Sequence, residues 1–156
     1  MKIKAGLKCF RDESGAIFVE TLLVIPVVTI LTIGILEFGN ILWQRHQVET
    51  GVRDAARYWA RCRQQISGVA TSCSTTVARN IAFYGTPSPS SGQALRVPGW
   101  YSPEDISFTP ETLPTVASGT VVVTGSVAYE GSPLVRALPI TSITLSYTHE
   151  QRYLGW

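Results

Sequence analysis

At 156 residues, with 45% hydrophobic and 15% charged residues, the chain has room for one small domain plus an apolar anchor, and not for two full domains. Its net charge of +2 arises before residue 16, where Lys2, Lys4, Lys8 and Arg11 stand against Asp12 and Glu13; the remainder, with 9 basic and 9 acidic residues, is neutral. Every lysine lies in that leader, so the basic balance is a topology signal and excludes a nucleic-acid footprint.

Residues 1–15 are short, polar and without periodicity, and read as a cytoplasmic leader. Cys9 follows Leu7-Lys8, with a lysine where a lipidation signal needs a small residue, so lipidation there is not expected. Residues 16–36 form a 21-residue apolar run whose single charge is Glu20. At about 1.5 Å per residue this crosses a hydrocarbon core of about 30 Å. Basic residues ahead of it hold the leader in the cytoplasm and send residues 37–156 to the outer side of the membrane. A cleavable secretory signal is the rival, but Phe38-Gly39-Asn40 lacks the small residues such a cut requires, and the run is longer than a usual signal core. Glu20 admits two readings. It is an edge carboxylate that reaches water or carries a proton, or it has a partner or a function. Pro26, Gly34 and Gly39 are ordinary in membrane helices, yet a bent helix with small residues also suits close packing against others.

Beyond Glu37 the helix continues without a stop signal and turns amphipathic. Ile41, Val48, Val52, Ala55, Trp59 and Cys62 recur at helical spacing on one face, while Arg53, Arg57 and Arg61 fall four apart on another. That row reads first as a solvated face, with Glu49 placed to support Arg53. One helix from about Ile17 to about Arg63 is predicted. Gln64 to Ser74 reads as a loop. Thr75 to Tyr84 reads as a second helix, capped by Ser74 and Gly85, with a Val77-Ile81-Tyr84 face on the long helix. The Pro/Ser/Gly-rich stretch from Thr86 to Pro103 is a loop in which Trp100 and Tyr101 are expected to anchor into the core. Strands follow at Asp105–Thr109 (weak), Thr120–Glu130 and Thr141–Gln151, the last with Ile143, Leu145 and Tyr147 facing one way. Leu134 and Leu138 suggest one helical turn between the last two. The fold class is α+β: a long transmembrane-plus-amphipathic helix, a short second helix and a small antiparallel sheet packed on the outer half of the first.

Cys62 and Cys73 fall on the outer side, where an oxidising compartment favours a disulfide; the alternative is two unpaired buried thiols. His46 and His149 have no second ligand at metal spacing, so no metal or other cofactor is expected. There is no G-x-S-x-G, no phosphate loop, no CxxC and no paired carboxylates, which argues against an enzyme and against a small-molecule substrate.

The run from Gly15, GAIFVETLLVIPVVTILTIGILEFGNIL, continued by VRDAARYWAR from Val52 to Arg61, resembles the TadE-like family, the pilin-like minor components of tight-adherence (Flp-type) pilus machines. The resemblance covers residues 15 to 61 by motif and the remainder only by layout, a long helix followed by a sheet packed on it. It implies a class III signal. A prepilin peptidase would cut between Gly15 and Ala16, and Glu20, fifth after the glycine, would meet the new amino terminus of a neighbouring subunit. The implied partners are that peptidase, other pilin-like subunits, the assembly machine and the inner membrane. The alternative function is an uncleaved single-pass membrane protein whose outer domain binds a partner.

Overall fold

The computed structural model describes residues 13–62, 73–111, 119–132 and 143–154. The leader with Cys9, most of the Gln64–Ser74 loop and the Leu134–Leu138 turn lie outside the described residues. In chain order the elements are α1 (Glu13–Ala60), α2 (Thr75–Tyr84), a single 3-10 turn (Pro103–Asp105), β1 (Ile106–Thr109), β2 (Thr120–Ala128) and β3 (Thr144–Arg152). This is the expected α+β arrangement of a long apolar helix, a short helix and an antiparallel sheet. The chain divides into two units, Met1–Phe38 and Gly39–Trp156.

In the first unit, α1 is described from Glu13, earlier than the Ile17 expected from the apolar pattern, so Gly15 and Ala16 are already helical. Pro26 sits within the helix without ending it. Proline withholds one backbone donor, and the rest of the ladder carries the helix past it.

In the second unit, the sheet order is β1-β2-β3 and both pairings are antiparallel. Alternation along β2 buries Val121, Val123, Gly125 and Val127 on one face, as the period of two requires. Ile106 and Phe108 of β1 and Leu145 of β3 join them. Against this face lies the apolar stripe of α1, with Val48, Val52, Ala55, Ala56, Trp59 and Ala60 all buried. The outer face of the sheet is hydroxyl-rich, and Thr124 and Thr148 share a 3.0 Å hydrogen bond across it.

The structure corrects the sequence reading at several points. The buried face of α2 is Ala78, Ala82 and Phe83, whereas Val77, Ile81 and Tyr84 are only half-buried. Small residues win that face because α2 packs tightly there. A Cβ built on Gly51 would stand 2.6 Å from the Ala82 carbonyl oxygen and 2.8 Å from the Trp100 ring. Trp100 is wholly buried, but Tyr101 is 65% exposed and anchors nothing. Ile143 precedes β3 and is 40% exposed, not part of the inner face. Asp105 belongs to the 3-10 turn, where Ser102 and Asp105 form a reciprocal capping box that ends as β1 begins.

A candidate assembly helix and the domain that holds it

From Gly15 to Thr32 every residue of α1 is exposed, although the run is apolar. It is long and apolar enough to cross a membrane. Its polar side chains answer the demands of such a setting. Thr21, Thr29 and Thr32 donate their hydroxyls to the carbonyls of Ile17, Ile25 and Val28 at 2.8, 2.8 and 2.7 Å. No hydroxyl donor on these threonines is left facing hydrocarbon. Glycines 15, 34 and 39 have open space where a Cβ would be, leaving smooth patches on which another backbone can come close. Glu20 is exposed, one helical turn beyond Ala16 on the same helix. The structure thus places Gly15, Ala16 and Glu20 close along α1 in the first unit, and Cys62 and Cys73 in the second unit.

The second unit grips the far part of α1 through three devices. The first is packing around Trp100. Its ring fills the space left by Gly51 and Gly125, and Phe83 meets it edge-on at 5.1 Å. Among the described residues its indole N–H meets no hydrogen-bond partner, and the ring is held by its fit. The second is polar. Asp54 pairs with Arg96 at 2.7 Å and ties the Pro/Ser/Gly-rich loop to the helix. Arg53 pairs with Glu49 and donates to the Tyr147 hydroxyl at 3.3 Å, with its guanidinium over that ring at 5.6 Å. The hydrogen bond to Tyr147, with help from the Glu49 charge, raises the Arg53 pKa above its already high ordinary value. The expected basic row is therefore divided: Arg53 is engaged, while Arg57 and Arg61 face solvent.

The third device closes the helix end. A helix leaves its last carbonyls without partners. Here the Ala60 carbonyl accepts from the Leu154 backbone N–H at 3.0 Å and the Cys62 carbonyl from the Tyr153 hydroxyl at 2.8 Å. A disulfide joins Cys62 to Cys73, with a Cα separation of 5.7 Å that suits such a bond. At the other end of the domain Asn40 donates to the Tyr129 hydroxyl at 3.0 Å. Gln44, only 2% exposed, donates to Asn40 at 3.4 Å. Sequence periodicity did not single out Asn40, Gln44 or Tyr153, because polar residues on an apolar stripe are recognised only once their partners are known.

Among the described residues no three His, Cys, Asp or Glu side chains gather as a metal site would require. Shallow depressions flank the Arg57–Arg61 edge, and neither contains a nucleophile beside a base.

Neither a curated protein nor a solved structure matches the chain. Over residues 15–57, from the glycine that opens the apolar run to the second arginine of the basic row, the chain matches the family described as TadE-like protein.

Proposed function

We propose that this protein is a minor pilin-like subunit of a tight-adherence (Flp-type) pilus machine. A prepilin peptidase processes it between Gly15 and Ala16, and it is held in the bacterial inner membrane with residues 37–156 on the outer side. Residues 1–15 are the cytoplasmic leader, and residues 16–36 are both the membrane span and the surface that packs against other subunits. The match over residues 15–57 to the TadE-like family, a family of pilus components, supports a structural role.

The observation that carries this reading is the juxtaposition at the start of α1. A glycine, an apolar helix exposed all round and one carboxylate a turn beyond Ala16 lie within the TadE-like segment. A plain anchor needs neither the glycine nor the carboxylate, which charges the membrane edge a cost of about 1–3 kcal/mol. The peptidase must reach an extended chain. Because Gly15 lies within α1, the helix must unwind there before the cut.

The test is the amino terminus of the protein recovered from membranes of cells with an active prepilin peptidase. Intact mass and terminal sequencing are expected to give Ala16 as the first residue. Gly15→Asp is expected to leave the leader attached while the protein still inserts. An intact Met1 in peptidase-positive cells removes the pilin reading and leaves the uncleaved single-pass protein with a partner-binding outer domain.

A further inference from the structure

The apolar surface of α1 does not stop with the span at Leu36. Phe38, Leu42 and Trp43 are all exposed, the last two at 49% and 53%. Arg45 and His46 follow and are exposed as well. At 100° per residue, positions 42, 43, 45 and 46 fall on one side of the helix. The opposite side carries Gln44 and Val48, which are buried, and Asn40 and Ile41, which are half-buried. The domain therefore covers one face of this stretch and leaves the other bare.

That bare face has a definite chemistry: two large apolar side chains, one of them tryptophan, then cationic and N–H-bearing side chains. Tryptophan with flanking arginine is the residue set of a membrane–water interface, where the indole ring lies among acyl-chain ends and its N–H reaches the headgroups. The same end of the domain carries another exposed apolar side chain. Ile143 is bonded through its carbonyl to the Tyr129 N–H at 2.7 Å, and the Tyr129 hydroxyl meets Asn40. The opposite end, where Tyr153 and Leu154 close the helix, is marked by Arg57 and Arg61.

We infer that the end of the outer domain bearing Leu42, Trp43, Arg45, His46 and Ile143 seats on the phospholipid bilayer, with Leu42 and Trp43 at the acyl-chain boundary and Arg45 and His46 on headgroup phosphates. The occupant of this face is the bilayer surface. Its apolar part is continuous along the sequence with the exposed helix that enters the lipid, and the Arg45 guanidinium and the ring N–H of His46 complement phosphate. The inference rests on the membrane-spanning part of the proposed function and is independent of leader cleavage and of pilus assembly.

The experiment uses the full chain in vesicles of phosphatidylethanolamine and phosphatidylglycerol carrying phospholipids brominated near the headgroup. Of the four tryptophans, Trp59, Trp100 and Trp156 are common to the parent and Trp43→Phe, so the emission difference between the two reports Trp43. Co-flotation with the vesicles is read on the same samples, and near-ultraviolet circular dichroism verifies that Trp43→Phe keeps the fold. The expected result is a blue-shifted component, quenched by the brominated lipid, that is lost in Trp43→Phe. Protein that floats while parent and Trp43→Phe are quenched alike overturns the inference but leaves the membrane reading intact, and assigns the face to a contact with a neighbouring subunit. Protein that fails to float overturns both.

Discussion

At the scale of single residues, two glycines in the same helix have opposite roles. A Cβ at Gly51 would meet the Ala82 carbonyl oxygen and the Trp100 ring, and a backbone oxygen has little freedom to retreat, whereas a Cβ at Gly39 would meet nothing. Helix propensity alone favours alanine at both positions by about 1 kcal/mol. The clash decides at Gly51, because overpacking costs about 1–3 kcal/mol. Gly51→Ala is therefore expected to lower the melting temperature of the detergent-solubilised protein, by about 2–4 °C for each kcal/mol lost, and Gly39→Ala to leave it unchanged or raise it slightly. Trp100→Ala removes the ring that fills the same space and is expected to cost about 3–5 kcal/mol. Equal melting temperatures for Gly51→Ala and Gly39→Ala would show that α2 does not approach the helix as closely as the geometry requires.

At the scale of elements, the Cys62–Cys73 bond closes an 11-residue separation between the end of α1 and the start of α2. Closing a loop of that size stabilises by about 2–3 kcal/mol in the chain-entropy model. Cys62→Ser with Cys73→Ser is expected to lower the denaturant midpoint accordingly, while α1 itself persists by circular dichroism. Reducing agent acting on the parent is expected to reproduce the shift; a midpoint indifferent to both would mean that the Tyr153 and Leu154 contacts already hold the helix end. Much of this architecture was legible in the sequence because it rests on period and caps. The 3.6-residue stripe from Val48 to Trp59, the Ser74 and Gly85 caps of α2 and the alternation in β2 each have one dominant local cause. What escaped was settled by tertiary contact. The Val77-Ile81 face looked apolar enough to be buried, but only Ala78 and Ala82 are small enough for the approach that Gly51 permits. Trp100 and Tyr101 are indistinguishable as neighbours in a loop; Trp100, whose N–H closes a turn on the Val97 carbonyl at 3.2 Å, enters the core, and Tyr101 stays exposed. The start of the candidate site was legible as glycine plus carboxylate, but the helical state of Gly15 was not, since glycine and serine argue locally against a helix.

At the scale of the whole molecule, the prediction concerns Glu20. In the proposed function its carboxylate meets the ammonium that cleavage creates on Ala16, either in its own chain or in a neighbour, and an opposite charge in a poorly solvated edge is worth most there. If the pairing lies between subunits, Glu20→Gln is expected to leave cleavage, insertion and the outer domain near normal. It is then expected to reduce crosslinking to other pilin-like components and the number of surface pili. Assembly equal to the parent would make Glu20 an edge carboxylate and nothing more. The inward-turned threonines give this residue added weight. Each of the hydroxyls of Thr21, Thr29 and Thr32 bonds its own helix, so none offers a donor to a neighbour. Two such helices side by side present each other with hydrocarbon and a few flat spots, a surface along which sliding by one turn changes the contact energy little. Between residues 16 and 36 Glu20 alone breaks that translational near-degeneracy. An array of these helices without it would be sticky but out of phase, cohesive in the membrane and unable to count its own steps.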